Sequence, residues 1–92
     1  MQVELNFFAT FREAVGEKTV SRELDEGATI GDVLTDLESE FDGLDGQLLD
    51  DGDVRPQINV LRNGREVAQE SGTATAVEDG DTIAVFPPVA GG

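Results

Sequence analysis

The sequence predicts a single α+β domain, with a mixed sheet of roughly four to five strands and one main helix across one face. Three observations lead there. Gln2–Ala9 alternates apolar and polar residues, and Thr82–Phe86 is a compact apolar run bounded by turns, so both ends of the chain read as strands. Between them Ile30, Val33, Leu34, Leu37 and Phe41 recur at helical spacing. Asn63-Gly64, set between Ile58–Arg62 and Arg65–Val67, is a strong hairpin signal.

Each element has its own justification. In the first strand Val3, Leu5 and Phe7 share one face, while Phe8 breaks the alternation, as in a strand covered on part of both faces. Thr10–Val15 can form a short helix, with Phe11 and Val15 stacked four apart and Gly16 as its stop. Lys18–Leu24 reads as a second strand ending at the turn Asp25-Glu26-Gly27. Thr29 can cap the main helix, and Asp32 suits its positive N-terminal end. Its stripe faces the core, Asp36, Glu38 and Glu40 face water, and Gly43 ends it. Residues 42–56 read as an acidic loop or short helical turn anchored by Leu44, Leu48 and Leu49. Asp50-Asp51-Gly52-Asp53 lacks the alternating acids and downstream glutamate of a calcium loop, so no metal site is expected.

A less regular stretch runs to Val77, and the turn Glu78-Asp79-Gly80-Asp81 introduces the last strand. The first two strands should pair antiparallel. A crossover through the main helix should lay the last strand parallel to the first, in the middle of the sheet.

Composition narrows the function. The 92 residues make one domain with a modest core. Cysteine and histidine are absent, which removes disulfides, a thiol nucleophile, the usual general base and the commonest metal ligands. Net charge is −14, from 20 acidic against 6 basic residues, so nucleic acid and anionic membrane are disfavoured as partners. No apolar run is long enough to cross a bilayer and the start lacks a basic leader, which places the protein in the cytoplasm. Lys18 is the sole lysine. Acid excess with scarce lysine suggests a salt-rich cytoplasm, where screening tames self-repulsion.

The sequence ends Pro87-Pro88-Val89-Ala90-Gly91-Gly92. A free α-carboxylate is a poor electrophile, but once adenylated it can acylate sulfur or an amine. Two residues without a Cβ let such a carboxylate pass through a slot too narrow for ordinary side chains. Pro87 and Pro88 hold the approach extended and offer no N–H for further sheet pairing. The expectation is a domain over residues 1–88 and a flexible Gly-Gly tail over 89–92.

With these residues in view, the chain resembles the ubiquitin-like β-grasp family. The likeness is strongest to the branch holding the small subunit of molybdopterin synthase and the small archaeal ubiquitin-like modifiers, its haloarchaeal members in particular. The matching pieces are Phe7-Phe8-Ala9, Phe11–Gly16, Thr29–Leu34, Ile58–Gly64 and, most specifically, Asp79–Gly92.

The resemblance implies a β-grasp fold with no catalytic residues and no bound cofactor of its own. It implies an activating enzyme of the ubiquitin-activating type that uses ATP to adenylate the Gly92 carboxylate, with Gly91 slim enough to enter that enzyme's site. The fates then diverge. As a modifier, Gly92 is joined by an isopeptide bond to lysines of target proteins. As a sulfur carrier, Gly92 becomes a thiocarboxylate and serves the large subunit of molybdopterin synthase. A non-covalent adaptor is a third reading. Around the tail, Phe86 and Pro87 are candidates for a docking surface, with Phe86 equally readable as a core aromatic. Arg62 and Arg65 flank the hairpin turn and are candidates for acidic partner groups, with ordinary solvated arginine as the weightier reading of both. Lys18, in a predicted exposed turn, is the candidate acceptor for self-conjugation, and reads equally as one surface lysine left in a lysine-poor protein.

Overall fold

The computed structural model describes residues 1–88. The chain enters on β1 (Gln2–Phe7), whose Val3, Leu5 and Phe7 are buried while Gln2 and Glu4 are exposed. A short helix α1 (Ala9–Val15) follows, starting one residue before the sequence suggested. It stops at Gly16, whose φ of 89° lets its N–H turn back to the Arg12 carbonyl at 2.8 Å. β2 (Thr19–Glu23) then runs back antiparallel to β1, pairing Gln2 with Glu23 and Asn6 with Thr19.

The main helix α2 (Ile30–Glu40) is set by a reciprocal cap. Thr29 Oγ1 accepts from the Asp32 N–H at 3.3 Å, and Asp32 Oδ2 accepts from the Thr29 N–H at 3.0 Å. Ile30, Val33, Leu34 and Leu37 are buried and form one cluster with Leu5, Phe7, Val60, Ile83 and Val85 of the sheet. Each such side chain contributes roughly 2 kcal/mol by leaving water. Phe41 caps the helix and is half-buried. Gly43, expected to end the helix, instead lies in a 3₁₀ turn (Asp42–Leu44) against α1. A Cβ there would come within 2.7 Å of the Ala14 Cβ, so close approach rather than helix termination requires the glycine.

The expected loop over 42–56 holds a small hairpin, β3 (Leu49–Asp50) with β4 (Asp53–Val54). Its turn, Asp51-Gly52, has φ of 54° and 85°, nearly the same as Asn63-Gly64 at 51° and 84°. The acidic run is thus a hairpin tip, built by the same left-handed backbone as the Asn-Gly turn. Glu38 does not simply face water. Its Oε2 accepts from the Leu48 and Leu49 N–H groups at 2.8 and 2.9 Å, which ties this excursion to α2.

β5 (Asn59–Arg62) and β6 (Arg65–Glu66) flank the Asn-Gly turn. The strand expected to reach Val67 stops at Glu66 and passes into a 3₁₀ turn (Val67–Gln69). β7 (Thr82–Phe86) then inserts between β1 and β5, parallel to the first and antiparallel to the second. The five-stranded order is β2-β1-β7-β5-β6, so the last strand is central as the connection logic required. Among the described residues, no helix is long and apolar enough to cross a membrane.

Candidate functional site

β7 carries the chain to the end of the described residues, and everything about its surroundings holds it in place. Its register runs from Glu4↔Thr82 to Phe7↔Val85 on one side and from Asn59↔Phe86 to Arg62↔Ile83 on the other. Ile83 and Val85 point toward α2 and are 0% exposed. Pro87 continues that alternation and is buried as well, while Pro88 is exposed. The docking role expected of Pro87 is therefore corrected, because a buried residue presents little surface to a partner.

Phe86 points to the opposite face of the sheet and is half-buried. Its ring stacks on Phe8, with centroids 4.3 Å apart and planes 6° from parallel. The parallel register explains the pair, because Phe7 aligned with Val85 brings the next residues of both strands together. Such a stack adds about 0.5–1.5 kcal/mol beyond area burial. Lys18 Nζ lies 6.0 Å from the Phe8 ring centroid, at the limit of a cation–π contact, and Lys18 is exposed. Lys18, Phe8 and Phe86 thus form a strip across the end of the sheet at which β7 finishes.

The other end of β7 is held by Asp81, which sequence reasoning placed only in a turn. This carboxylate is 5% exposed. It accepts from Arg62 Nε at 2.6 Å, from Asn63 Nδ2 at 2.9 Å and from the Glu78 N–H at 2.7 Å. Asn63 in turn accepts from the Thr82 N–H at 2.9 Å. Burial pushes the Asp81 pKa up, but the hydrogen bonds from Arg62, the Glu78 N–H and Asn63 outweigh it and hold the carboxyl below the ordinary aspartate value. The hydrogen bond to Asp81 likewise raises the Arg62 pKa, against the opposing effect of burial. Arg62, expected to meet acidic groups of a partner, is corrected to an internal clasp whose side chain is 19% exposed. Arg65 is exposed and makes no ion pair among the described residues. Gly91 and Gly92, the centre of the sequence reading, lie outside the described residues, as does the tail over 89–92.

The ThiS family profile matches residues 5–92. The chain belongs to the ThiS family. It is 60% identical over 92 residues to small archaeal modifier protein 3 of Haloferax volcanii, covering 100% of both chains. It is 38% identical over 80 residues to the sulfur carrier protein CysO of Mycobacterium tuberculosis, covering 84% of this chain and 83% of that one. The crystal structure of SAMP1 from Haloferax volcanii superposes with a TM-score of 0.83 at 39% identity, covering 100% of both. The β-grasp resemblance drawn from Phe7-Phe8-Ala9, Phe11–Gly16, Thr29–Leu34, Ile58–Gly64 and Asp79–Gly92 therefore holds, with relatives among both modifiers and sulfur carriers.

Proposed function

We propose that this ThiS-family chain is a ubiquitin-like protein modifier that can also carry sulfur, through the carboxylate of Gly92. A partner enzyme of the ubiquitin-activating type binds the β-grasp domain. A Gly92 carboxylate oxygen attacks the α-phosphorus of ATP, and pyrophosphate leaves. A lysine amine of a target protein then attacks the acyl carbon, forms the isopeptide bond and expels AMP. In the sulfur route a hydrosulfide equivalent displaces AMP instead and leaves a thiocarboxylate. The domain supplies no catalytic side chain to either route and binds no cofactor itself; ATP belongs to the enzyme. The protein acts in the cytoplasm.

The observation that carries this reading is the family match through Gly91-Gly92, joined to the central position of β7, the last strand before them. The 60% identity with a small archaeal modifier favours conjugation as the main fate. The likeness to CysO and to a molybdopterin synthase sulfur carrier subunit of Chlamydomonas reinhardtii favours a second reading, a dedicated sulfur carrier that serves molybdopterin synthase as its small subunit. Phe86 with Phe8 offers the activating enzyme an aromatic footing beside the tail. Lys18 is the acceptor for chains of the protein on itself. It is exposed, whereas the Met1 amine is already bonded to the Leu24 carbonyl at 2.6 Å.

Tagged protein recovered from cells under denaturing conditions tests the proposal. A ladder of adducts with Gly-Gly remnants on target lysines, abolished by Gly92→Phe, is the expected result. Recovery of only free protein and its thiocarboxylate reduces the function to sulfur carriage. Self-conjugates linked elsewhere than Lys18 remove that residue's role.

A further inference from the structure

The one lysine of the chain stands at the end of the sheet where β7 finishes. The Phe7 N–H donates to the Lys18 carbonyl at 2.7 Å, and Phe7 pairs in parallel with Val85, so the three residues lie level across the sheet. Two strand spacings, about 10 Å, separate the Lys18 backbone from that of Val85. The exposed Lys18 side chain places Nζ 6.0 Å from the Phe8 ring centroid. That ring stacks at 4.3 Å on Phe86, the last residue of β7. The single side-chain amine able to accept a second copy therefore sits beside the aromatic pair that precedes the tail.

Chain length sets how near two other bodies must come to this spot. Gly92 follows Pro88 by four residues, which span at most about 14 Å however they are arranged. An enzyme that adenylates Gly92 must bring its site within that distance of Pro88, two residues past Phe86. A second copy joined through its own Gly92 to Lys18 is held by a tether of the same length. Its body measures 37 × 27 × 23 Å, longer in every direction than the tether that holds it. Both bodies are thus confined to one end of the sheet, with anchors only two strands apart.

We infer that conjugation at Lys18 and activation at Gly92 exclude one another within the same molecule. This rests on the modifier reading above and supplies its regulation. When the Lys18 amine attacks the acyl carbon of another copy's adenylate, the isopeptide bond forms, AMP leaves and the amine gives up a proton. The acceptor then carries a second domain beside Phe8 and Phe86, where the activating enzyme has to stand. Its own Gly92 carboxylate is chemically free but out of reach. Chains therefore grow by adding fresh copies to the Lys18 of a copy already attached to a target. A free chain cannot be activated and transferred whole. One lysine per copy also keeps the chains unbranched. A small acyl group on Lys18 lacks this effect, because the obstacle is the second body and not the lost charge.

The chain has no cysteine, so linked pairs of defined geometry can be made at chosen thiols. A donor carrying Gly92→Cys is joined by dichloroacetone to an acceptor carrying Lys18→Cys, which leaves the acceptor's Gly92 as the one glycine terminus. A second pair uses an Asp25→Cys acceptor. Asp25 is exposed and follows Leu24, whose N–H bonds the Met1 carbonyl at the opposite end of the sheet. Each pair is compared with its own acceptor capped by iodoacetamide, in ATP–pyrophosphate exchange with the protein's ubiquitin-activating-type enzyme. Exchange from the Lys18-linked pair should fall at least about tenfold below its capped monomer, while the Asp25-linked pair stays within about twofold of its own. Equal exchange from the Lys18-linked pair and its monomer overturns the inference. So does an equal loss in both pairs, or a capped Lys18→Cys monomer as silent as its pair. Absence of exchange from the capped Asp25→Cys monomer, which is untouched at Lys18, overturns the proposed function and this inference with it.

Discussion

Replacing Asp81 with alanine should be among the most damaging single changes outside the apolar core. The substitution removes the acceptor for Arg62 Nε, Asn63 Nδ2 and the Glu78 N–H at once. Breaking a buried ion pair from one side costs about 3–5 kcal/mol. Arg62 keeps 19% of its side chain in water and retains Glu78 at 3.4 Å, so the lower end applies, about 3 kcal/mol. For a domain of this size each kcal/mol moves Tm by roughly 4–8 °C, which gives a fall of about 12–24 °C. Asp81→Asn keeps one acceptor oxygen and loses the charge, so roughly half the effect should remain.

The pH dependence separates charge from packing at the same position. Asp81 titrates lower in the folded state than when unfolded. Its contribution is therefore fully present above the unfolded pKa of about 3.9 and disappears as pH falls through the folded value. The gap between wild type and Asp81→Asn should be constant above about pH 5 and narrow below about pH 4. Thermal melts followed by circular dichroism at fixed salt measure both quantities. An Asp81→Ala variant within about 0.5 kcal/mol of wild type, or a gap that does not change with pH, would refute the clasp.

Other positions give sharper local tests. Gly43→Ala drives a methyl to 2.7 Å from the Ala14 Cβ and should cost about 1–3 kcal/mol by chemical denaturation, with Ala14→Gly restoring most of it. Glu38→Ala leaves the Leu48 and Leu49 N–H groups without their acceptor; about 1.5–3 kcal/mol should be lost, and hydrogen exchange should quicken over residues 45–55. Thr29→Ala breaks the reciprocal cap of α2 at about 1 kcal/mol, and an unchanged melt would show that the cap is idle. Lowering ionic strength should depress Tm steadily, because a net charge of −14 loses its screening; a melt indifferent to salt would contradict that reading.

Much of the fold was legible because local pattern and connection logic agreed. The stripe Ile30–Leu37 is a core face, and the run Thr82–Phe86 could sit in the middle only by pairing parallel to β1. What escaped was tertiary. Glu38 sits on the polar side of its helix, and nothing in the 3.6-residue period announces two N–H groups ten and eleven residues further on. Phe8 looked like a break in alternation, and its partner Phe86 follows only once the parallel register is known. Asp51-Gly52 carried the same hairpin chemistry as Asn63-Gly64, but its flanking acids drew attention to metal instead of to the turn. Arg62 looked solvated beside a tight turn because the carboxylate that claims it lies nineteen residues away.

Charge and topology together explain how so acidic a chain can serve as a handle for its own end. Among the described residues, Asp81 is the one buried carboxylate, and it is answered by an arginine and an asparagine. Three of the six cations are already committed inside the molecule, Arg22 to Glu40, Arg55 to the Gly46 carbonyl and Arg62 to Asp81. The remaining acids lie outside, where they repel copies of the same chain and favour cationic or apolar partners. β7, meanwhile, is bonded on both sides, buried toward α2 and clasped at its start, which puts it at the most stable end of the local-opening scale. A partner that draws on the chain beyond Pro88 therefore works against a strand bonded on both sides.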